Sequence, residues 1–223
     1  MTQITLTLPR PKFWGRKIAR PLKPLQKKRL EDHLPEIELS FEALKNFCLK
    51  HCELWLEIGY GGGEHLVEQA RAHQNKTFLG CEPFLHGAVH ILEEKERLSL
   101  NNIFVMTQDA RLTLLSLPNE SLEGCFILFA DPWPKKRHHK RRIICDETLD
   151  NIHRVLKPQG VLRLATDHLG YQEWIKDLLS RRSDFNVEFF TTQHPTSWPV
   201  TRYEQKAQEA QRECHYYELT KAS

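Results

Sequence analysis

A carboxylate, an aromatic loop and a dense run of cations are adjacent in this chain. Asp131 opens the segment Asp-Pro-Trp-Pro, and six lysines and arginines follow it within residues 135–142. The apolar run 125–130 just before Asp131 is typical of a buried strand, so we expect Asp131 at that strand's carboxyl end. Open α/β sheets bind their ligands at this edge. A polyanion held by the cations would therefore lie within a few residues of a carboxylate that could do chemistry.

Acids stand at the ends of four successive predicted strands. They are Glu57, Glu82, Asp109 and Asp131, at or after strands 53–58, 77–81, 103–107 and 126–130. A carboxylate after the second strand can accept both hydroxyl protons of a ribose. The acid after the third strand is placed to reach an adenine amino group. An aspartate after a strand also often caps the next helix, but four acids along one edge predict a shared cofactor site.

The glycine-rich turn favours a nucleoside that carries no phosphate. Gly59, Gly61 and Gly63 follow Glu57 in the pattern E-x-G-x-G-x-G. The dinucleotide pattern G-x-G-x-x-G requires glycine where this chain has Glu64, which weakens a nicotinamide or flavin interpretation. An acid before the turn would repel a pyrophosphate but can pair with an ammonium group. S-adenosylmethionine has an ammonium, a sulfonium, ribose hydroxyls and an adenine, and it fits this pattern.

The distribution of charge indicates a polyanionic partner. The net charge is only +3, yet nine lysines and arginines lie between Arg10 and Arg29, and no acid precedes Glu31. Together with the run 135–142 these hold 15 of the 32 basic residues, which leaves 17 against 29 acids elsewhere. A single charge run is usually a solvated face. Two separate patches free of acids favour nucleic acid instead.

The order of elements predicts one α/β domain. A chain of 223 residues with 40% hydrophobic residues can bury one sizeable core. Helical patterns at 64–72, 86–98, 148–156 and 171–182 alternate with the strands, and apolar segments 161–165, 186–191 and 215–219 supply further strands. This alternation predicts a mainly parallel sheet covered on both faces. Residues 1–30, rich in proline and cations, are predicted to be a flexible basic arm, and 31–223 the single domain.

Other classes of site receive little support. The six cysteines form neither C-x-x-C pairs nor a zinc-finger spacing, and His51 beside Cys48 and Cys52 is a weak ligand cluster, so no metal site is predicted. No apolar segment has the length of a membrane span, and the N-terminus lacks a signal-peptide core. We therefore expect a cytoplasmic protein with no membrane partner. Monomer and homodimer both remain open.

Four segments together resemble the bacterial tRNA (guanine-N7) methyltransferases. They are residues 57–63, 131–142, 165–167 and 201–206. The block D-P-W-P-K-K-R-H-H-K-R-R is the specific one, whereas the glycine turn resembles class I methyltransferases in general. The resemblance extends from about residue 13 to the C-terminus. It implies a Rossmann-like class I fold with a seven-stranded, mostly parallel sheet and helices on both faces. It also implies S-adenosylmethionine as cofactor, tRNA as partner, and methylation of guanine 46 in the variable loop.

The resemblance also implies roles for individual residues. Asp131 is the expected catalytic residue. The expected cofactor contacts are Glu57, Gly59, Gly61, Gly63, Glu82, Asp109 and Asp131. The expected substrate contacts are Lys135, Asp167, Thr201, Arg202, Tyr203 and Glu204. The remaining cations of the basic run are expected to contact RNA phosphates, namely Lys136, Arg137, Lys140, Arg141 and Arg142. Because Asp131 and Asp167 end adjacent predicted strands, we expect them to share the stabilisation of the guanine.

Three other functions fit parts of the pattern. The segment 131–134 partly resembles the D-P-P-Y loop of methyltransferases that act on the amino group of adenine. A noncatalytic RNA-binding protein would keep the basic patches but has no need for acids at four strand ends. A nicotinamide oxidoreductase fits least well, because Glu64 replaces the third glycine of the dinucleotide pattern.

Overall fold

The computed structural model describes residues 21–222, in which two helices precede an alternation of strands and helices. The strands are β1 (Leu54–Ile58), β2 (Thr77–Cys81), β3 (Ile103–Met106), β4 (Leu122–Leu128), β5 (Leu156–Thr166), β6 (Phe185–Thr191) and β7 (His215–Lys221). The helices are α1 (Pro24–Ile37), α2 (Phe41–Lys50), α3 (Glu64–Ala72), α4 (Leu85–Leu98), α5 (Ala110–Ser116), α6 (Asp146–Val155), α7 (Leu169–Ser180) and α8 (Arg202–Glu209). A 3₁₀ helix, Lys136–Arg141, lies between β4 and α6.

The seven strands form one sheet in the order β3-β2-β1-β4-β5-β7-β6. Strands β1 to β5 are parallel, while β7 is antiparallel to both β5 and β6. The predicted seven-stranded, mostly parallel sheet is therefore confirmed. The strand order reverses between β1 and β4, and open parallel sheets bind ligands beyond the carboxyl ends of the strands at such a switch point.

Helices cover both faces of the sheet and bury its central strands. Every residue of β1 and β2 is buried, as expected for parallel strands that contact helices on both sides. One core contains Leu56 of β1 with Leu149 of α6 and Ile175 of α7. The other contains side chains of α1, α3 and α4, among them Leu66 and Ile91. Two cores hold the carboxyl edge of the sheet in a defined shape.

The turn after β1 depends on glycine at several positions. Gly59, Gly61 and Gly63 all have positive φ, at 78°, 52° and 85°, a region that other residues rarely adopt. The turn also packs closely against α4. A Cβ added to Gly87 of that helix would lie only 1.9 Å from the Gly61 carbonyl oxygen. The glycines therefore fix the shape of the turn and let α4 approach it.

Several predicted boundaries differ from the structure, among them the end of β4 and the start of the domain. Strand β4 ends at Leu128 rather than at residue 130, because Phe129 has a φ of 52° and leaves the strand. Asp131 consequently lies in a loop three residues beyond the strand end. Residues 24–30, predicted to belong to the flexible arm, form the first half of α1, and Leu30 is buried in the core. Residues 21–23 precede α1 without regular structure, and residues 1–20 of the predicted arm lie outside the described residues.

Sequence patterns also missed several elements. The helices α1, α2, α5 and α8 and the 3₁₀ helix were not predicted, since each is short, polar or interrupted by proline. Within residues 21–222, every helix is too short or too polar to cross a membrane.

Candidate functional site

A cleft of about 320 Å³ opens at the carboxyl edge of the sheet, beside the switch point between β1 and β4. Seven residues predicted for the site line it: Gly59, Gly61, Glu82, Asp109, Asp131, Arg141 and Tyr203. Phe84, Arg111, Phe129, Trp133 and Ile143 are further members of its wall. The volume is in the range of small-molecule sites. Three acids from three different loops therefore face one cavity.

Glu82, directly after β2, is half-buried in the wall of the cleft. Burial raises the pKa of its carboxyl group, and the negative charge of Asp131 raises it further. Hydrogen bonds from the backbone N–H groups of Phe84, at 3.0 Å, and Gly61 act in the opposite direction. A partly buried carboxylate beside a second negative charge favours a ligand with positive charge or several hydroxyl donors.

Asp109 caps a helix and lines the cleft at the same time. Its Oδ1 accepts a hydrogen bond from the backbone N–H of Arg111 at the start of α5, at 2.9 Å. The Arg111 guanidinium lies 3.6 Å from the same oxygen. The helix cap is therefore confirmed, and the carboxylate keeps lone pairs that could serve a ligand in the cleft.

Asp131 stands exposed in a loop whose shape is held by Arg142. Both Phe129 and Trp133 have positive φ, at 52° and 43°. The Arg142 Nε donates to the Pro132 carbonyl oxygen at 2.8 Å. Such backbone conformations cost about 1–3 kcal/mol each and persist only where surrounding contacts impose them.

Arg142 was predicted to contact RNA phosphates, and the structure contradicts this. Its side chain is buried, with only 3% exposed, and its guanidinium lies 5.1 Å from the ring centre of Tyr171 and 4.9 Å from that of Trp174. An arginine whose fork is occupied by a carbonyl and two rings has no surface left for a phosphate. Arg142 therefore stabilises the loop from the protein interior.

The other cations of the basic run stay at the surface. The exposed set is Lys135, Lys136, Arg137 and Lys140, and none of them lines the cleft. Lys135, predicted to contact the substrate, is therefore beside the cleft wall and not part of it. Arg141 is half-buried and lies 4.8 Å from the ring centre of Trp133. Trp133 also meets His138 edge-on, with ring centres 5.8 Å apart. The aromatic loop and the 3₁₀ helix therefore form one packed surface segment, 131–142, which we call the basic segment.

Glu57, predicted to contact the cofactor, does not line the cleft. It is buried, and its Oε2 lies 2.8 Å from Nδ1 of His65 on α3. Side chains alternate across a strand, and this one points to the face that α3 covers. Gly63 is likewise outside the cleft, where a Cβ would lie 2.6 Å from Cγ1 of Ile91. Glu57 therefore contacts α3, and Gly63 lets the turn approach Ile91 of α4.

The segment from Thr201 to Glu204 separates into two kinds of residue. Thr201 caps α8, its Oγ1 accepting from the backbone N–H of Glu204 at 3.0 Å. The buried Glu204 carboxylate accepts from the Tyr216 hydroxyl at 2.7 Å and lies 2.7 Å from Nδ1 of His194. These contacts leave Thr201 and Glu204 no access to the cleft, so the predicted substrate contacts are corrected to helix-positioning contacts.

Tyr203 is the residue of this segment that reaches the cleft. A Cβ added to Gly61 would lie 2.9 Å from Cε2 of its ring, so the ring lies against the glycine turn. Burial raises the pKa of its hydroxyl, and the charges of Glu82 and Asp131 raise it further. The neighbouring Arg202 is exposed and outside the cleft wall.

Asp167 is also outside the cleft wall. It follows β5, and its Oδ2 accepts a hydrogen bond from Nε of Arg212 at 2.8 Å. The expected pairing of Asp131 and Asp167 in one cavity is therefore not what the structure shows. Asp131 alone of these two acids faces the cleft.

Sequence reasoning missed several side chains of the cleft wall, among them Arg111 and Phe84. Arg111 stands two residues after Asp109, and Phe84 stands two residues after Glu82. Their positions just after a strand-end acid could have indicated that they lie at the same edge of the sheet. Among residues 21–222, no group of three or more histidines, cysteines and acids is arranged to hold a metal ion.

Comparison with known proteins identifies relatives over most of the chain. Residues 52–217 match a protein family whose description reads "Putative methyltransferase". A tRNA (guanine-N(7)-)-methyltransferase of Granulibacter bethesdensis is 35% identical over 226 residues, covering 97% of this chain and 98% of the relative. A protein of the same name from Paramagnetospirillum magneticum is 38% identical over 208 residues, covering 88% and 87%.

Solved structures share the fold at low sequence identity. The 16S rRNA methyltransferase KamB aligns with a TM-score of 0.60 at 14% identity, covering 82% of this chain and 93% of that one. A mutant of the 16S rRNA (adenine(1408)-N(1))-methyltransferase from Catenulisporales acidiphilia, solved with cosubstrate SAM, aligns at 0.59 with 12% identity, covering 83% and 92%. The fold is thus the Rossmann-like fold of class I methyltransferases.

The confinement of Glu82 predicts a measurable pH dependence of stability. Its raised pKa means that the folded state binds the proton more tightly than the unfolded state, so stability falls as pH rises through this interval. We expect Glu82→Gln to raise the free energy of unfolding at pH 7. The gain should vanish below the ordinary pKa of a glutamate, near pH 4. Urea unfolding of the variant and the wild type, at pH 7 and at a pH below that pKa, measures this gain in free energy.

Glu173→Gln is the matched control, because Glu173 is exposed on α7. At each of the two pH values, this variant should have the same free energy of unfolding as the wild type. A Glu82→Gln variant that is less stable than the wild type at pH 7 would contradict the assignment of a burial cost to this carboxylate.

Proposed function

Since the chain belongs to the bacterial tRNA (guanine-N7) methyltransferase family, we propose that it transfers a methyl group from S-adenosylmethionine to N7 of guanine 46 in the variable loop of tRNA. The observation that supports this most directly is the position of Glu82, Asp109 and Asp131 around one cleft, with the exposed cations of the basic segment beside it. A tRNA substrate also makes the cytoplasm the proposed location.

The cleft suits the chemical groups of S-adenosylmethionine. Glu82, after β2, can accept hydrogen bonds from the ribose hydroxyls, and Asp109 can accept one from the adenine amino group. The glycine turn lets the backbone approach the ligand closely. Three acids and no phosphate-binding pattern match a cofactor with a sulfonium and an ammonium. When bound, S-adenosylmethionine supplies a methyl group that its sulfonium has already activated.

The proposed reaction demands alignment and charge stabilisation more than a base. Guanine N7 presents a lone pair and has no proton to remove, while positive charge develops on the purine as it is methylated. Asp131, exposed at the mouth of the cleft, can accept hydrogen bonds from guanine N1 and N2 and stabilise that charge. Rigid alignment can lower the barrier by roughly 7–11 kcal/mol. Asp167, engaged by Arg212, is left out of this step.

The exposed cations of the basic segment would hold RNA phosphates next to the cleft. Lys135, Lys136, Arg137 and Lys140 form this set, while Arg142 supports the loop that carries them. Arg141 packs on Trp133 within the cleft wall, so this tryptophan would present its remaining surface to a base. The binding surface and the proposed catalytic carboxylate therefore belong to a single segment.

Labelled S-adenosylmethionine with two tRNA transcripts tests the proposed function. One transcript carries the variable-loop guanine, and the other replaces it with adenine. We expect label in the first transcript alone, recovered as 7-methylguanosine. Label in both transcripts would contradict the target position, and N6-methyladenosine would favour the amino-methylating class suggested by the D-P-P-Y resemblance.

Replacing Asp131 tests its proposed catalytic position. Asp131→Asn should lower kcat at least about a hundredfold, because it removes the charge that opposes the developing positive charge. The Kd for tRNA should stay within about threefold, since the cations are untouched. Asp177→Asn, at an exposed site on α7, is the control and should retain activity. Retained turnover in Asp131→Asn would remove this residue from catalysis.

The salt dependence of tRNA binding tests the phosphate contacts. Four engaged cations predict that log affinity falls with log salt with a slope of about 3 to 4 in magnitude. The double variant Lys136→Gln, Lys140→Gln should reduce that magnitude by about 1.4 to 1.8. The matched control, Lys45→Gln with Lys50→Gln on α2, should leave it unchanged. An unchanged slope in the first double variant would remove the basic segment from the interface.

A further inference from the structure

We propose that Arg111 is a positioning residue that couples binding in the cleft to binding of RNA on the basic segment. The proposal rests on the proposed function, since it takes the cleft as the cofactor site and the exposed cations as the RNA surface. Arg111 belongs to the cleft wall and contacts the backbone of the basic segment. The guanidinium lies at the start of α5, on the cleft wall, at the point where the basic segment returns to the domain.

The contacts of Arg111 join two elements that are distant in sequence. On one side its Nη1 lies 3.6 Å from Oδ1 of the buried Asp109. On the other side its Nη2 donates to the carbonyl oxygens of Arg141 and Arg142, at 3.3 and 3.4 Å. These carbonyls belong to the last turn of the 3₁₀ helix and its cap. A cation is favourable there, because the carbonyl end of a helix is negative.

The basic segment has an inner and an outer side that different ligands would contact. Asp131, Trp133 and Arg141 belong to the cleft wall. Lys136 and Lys140 belong to the exposed side. A ligand in the cleft that packs on the inner side therefore stabilises the same loop conformation that presents the outer cations to RNA.

The conformation of this loop has to be imposed. Phe129 and Trp133 have positive φ, which the isolated chain would avoid. Two arginines hold the loop, one through the Pro132 carbonyl and one through the carbonyls at the end of the 3₁₀ helix. When a first ligand helps to order a loop, a second ligand that needs the same order binds more tightly. Arg111 is the link through which Asp109 takes part in this ordering.

Coupling of this kind is reciprocal and can be measured without turnover. S-adenosylhomocysteine is the cleft probe, and a tRNA transcript is the RNA probe. For the wild type we expect each probe to tighten the Kd of the other at least about fivefold, at the low end of typical coupling. For Arg111→Met we expect this factor to fall to about one; because the factor is a ratio of the variant's own constants, it is independent of any change in the Kd of S-adenosylhomocysteine alone. Titration calorimetry of each ligand, with and without the other, gives all four constants.

Arg154 provides a matched control, because it makes similar bonds away from the cleft. Its Nη1 donates to the Leu117 carbonyl at 2.9 Å and its Nη2 to the Leu114 carbonyl at 2.7 Å. Arg154→Met should lower the thermal midpoint while keeping the coupling factor. Arg111→Lys is a second variant, which keeps a cation beside Asp109 but cannot donate from a planar fork. Its coupling should lie between that of the wild type and that of Arg111→Met.

The outcomes separate this inference from the proposed function. Wild-type protein that binds neither probe would overturn the proposed function and this inference with it. Wild-type protein that binds both probes independently would overturn the coupling alone. Coupling that persists in Arg111→Met, or that is lost equally in Arg154→Met, would overturn the assignment to Arg111.

Discussion

The hydrogen bond from the Arg142 side chain to the Pro132 carbonyl oxygen is the interaction on which the site depends most. It fixes a loop with positive φ at Phe129 and Trp133, and it does so from a buried position against Tyr171 and Trp174. Because the loop is held from below, Asp131 can face the cleft while the neighbouring lysines stay in solvent. This buried cation thereby helps to set the geometry of both the cleft-facing loop and the proposed RNA-binding surface.

The cleft itself shows a compromise between stability and binding. Glu82 is confined near Asp131, and burial raises its pKa, so its charge is a cost to the folded protein without a ligand. Because this charge is poorly solvated, a ligand with hydroxyl donors or positive charge that stabilises it binds more favourably. The sheet tolerates this cost because its two cores are apolar and closely packed on both faces.

Much of this fold could be predicted from local pattern. The apolar runs located all seven strands, and the glycine turn located the start of α3 to the residue. The helices that pattern missed, such as α1 and α8, are polar or interrupted, and tertiary contacts stabilise them. The position of the site, at acids that follow the strands, could be predicted. Which side chains face the cleft could not. Glu57 turned out to face α3, and Glu204 turned out to be buried against Tyr216.

The sequence by itself determined the family, through the four segments that resemble it. It also determined the order of strands and helices along the chain and which kinds of residue lie at the carboxyl edge of the sheet, because these follow from local spacing and composition. Only the tertiary structure decided which charged side chains face a ligand and which face the protein. Six neighbouring cations look alike in sequence, yet Arg142 is inside and Lys136 is outside. The physical reason is that burial and partners depend on elements far away in sequence, here α7 for Arg142 and α3 for Glu57.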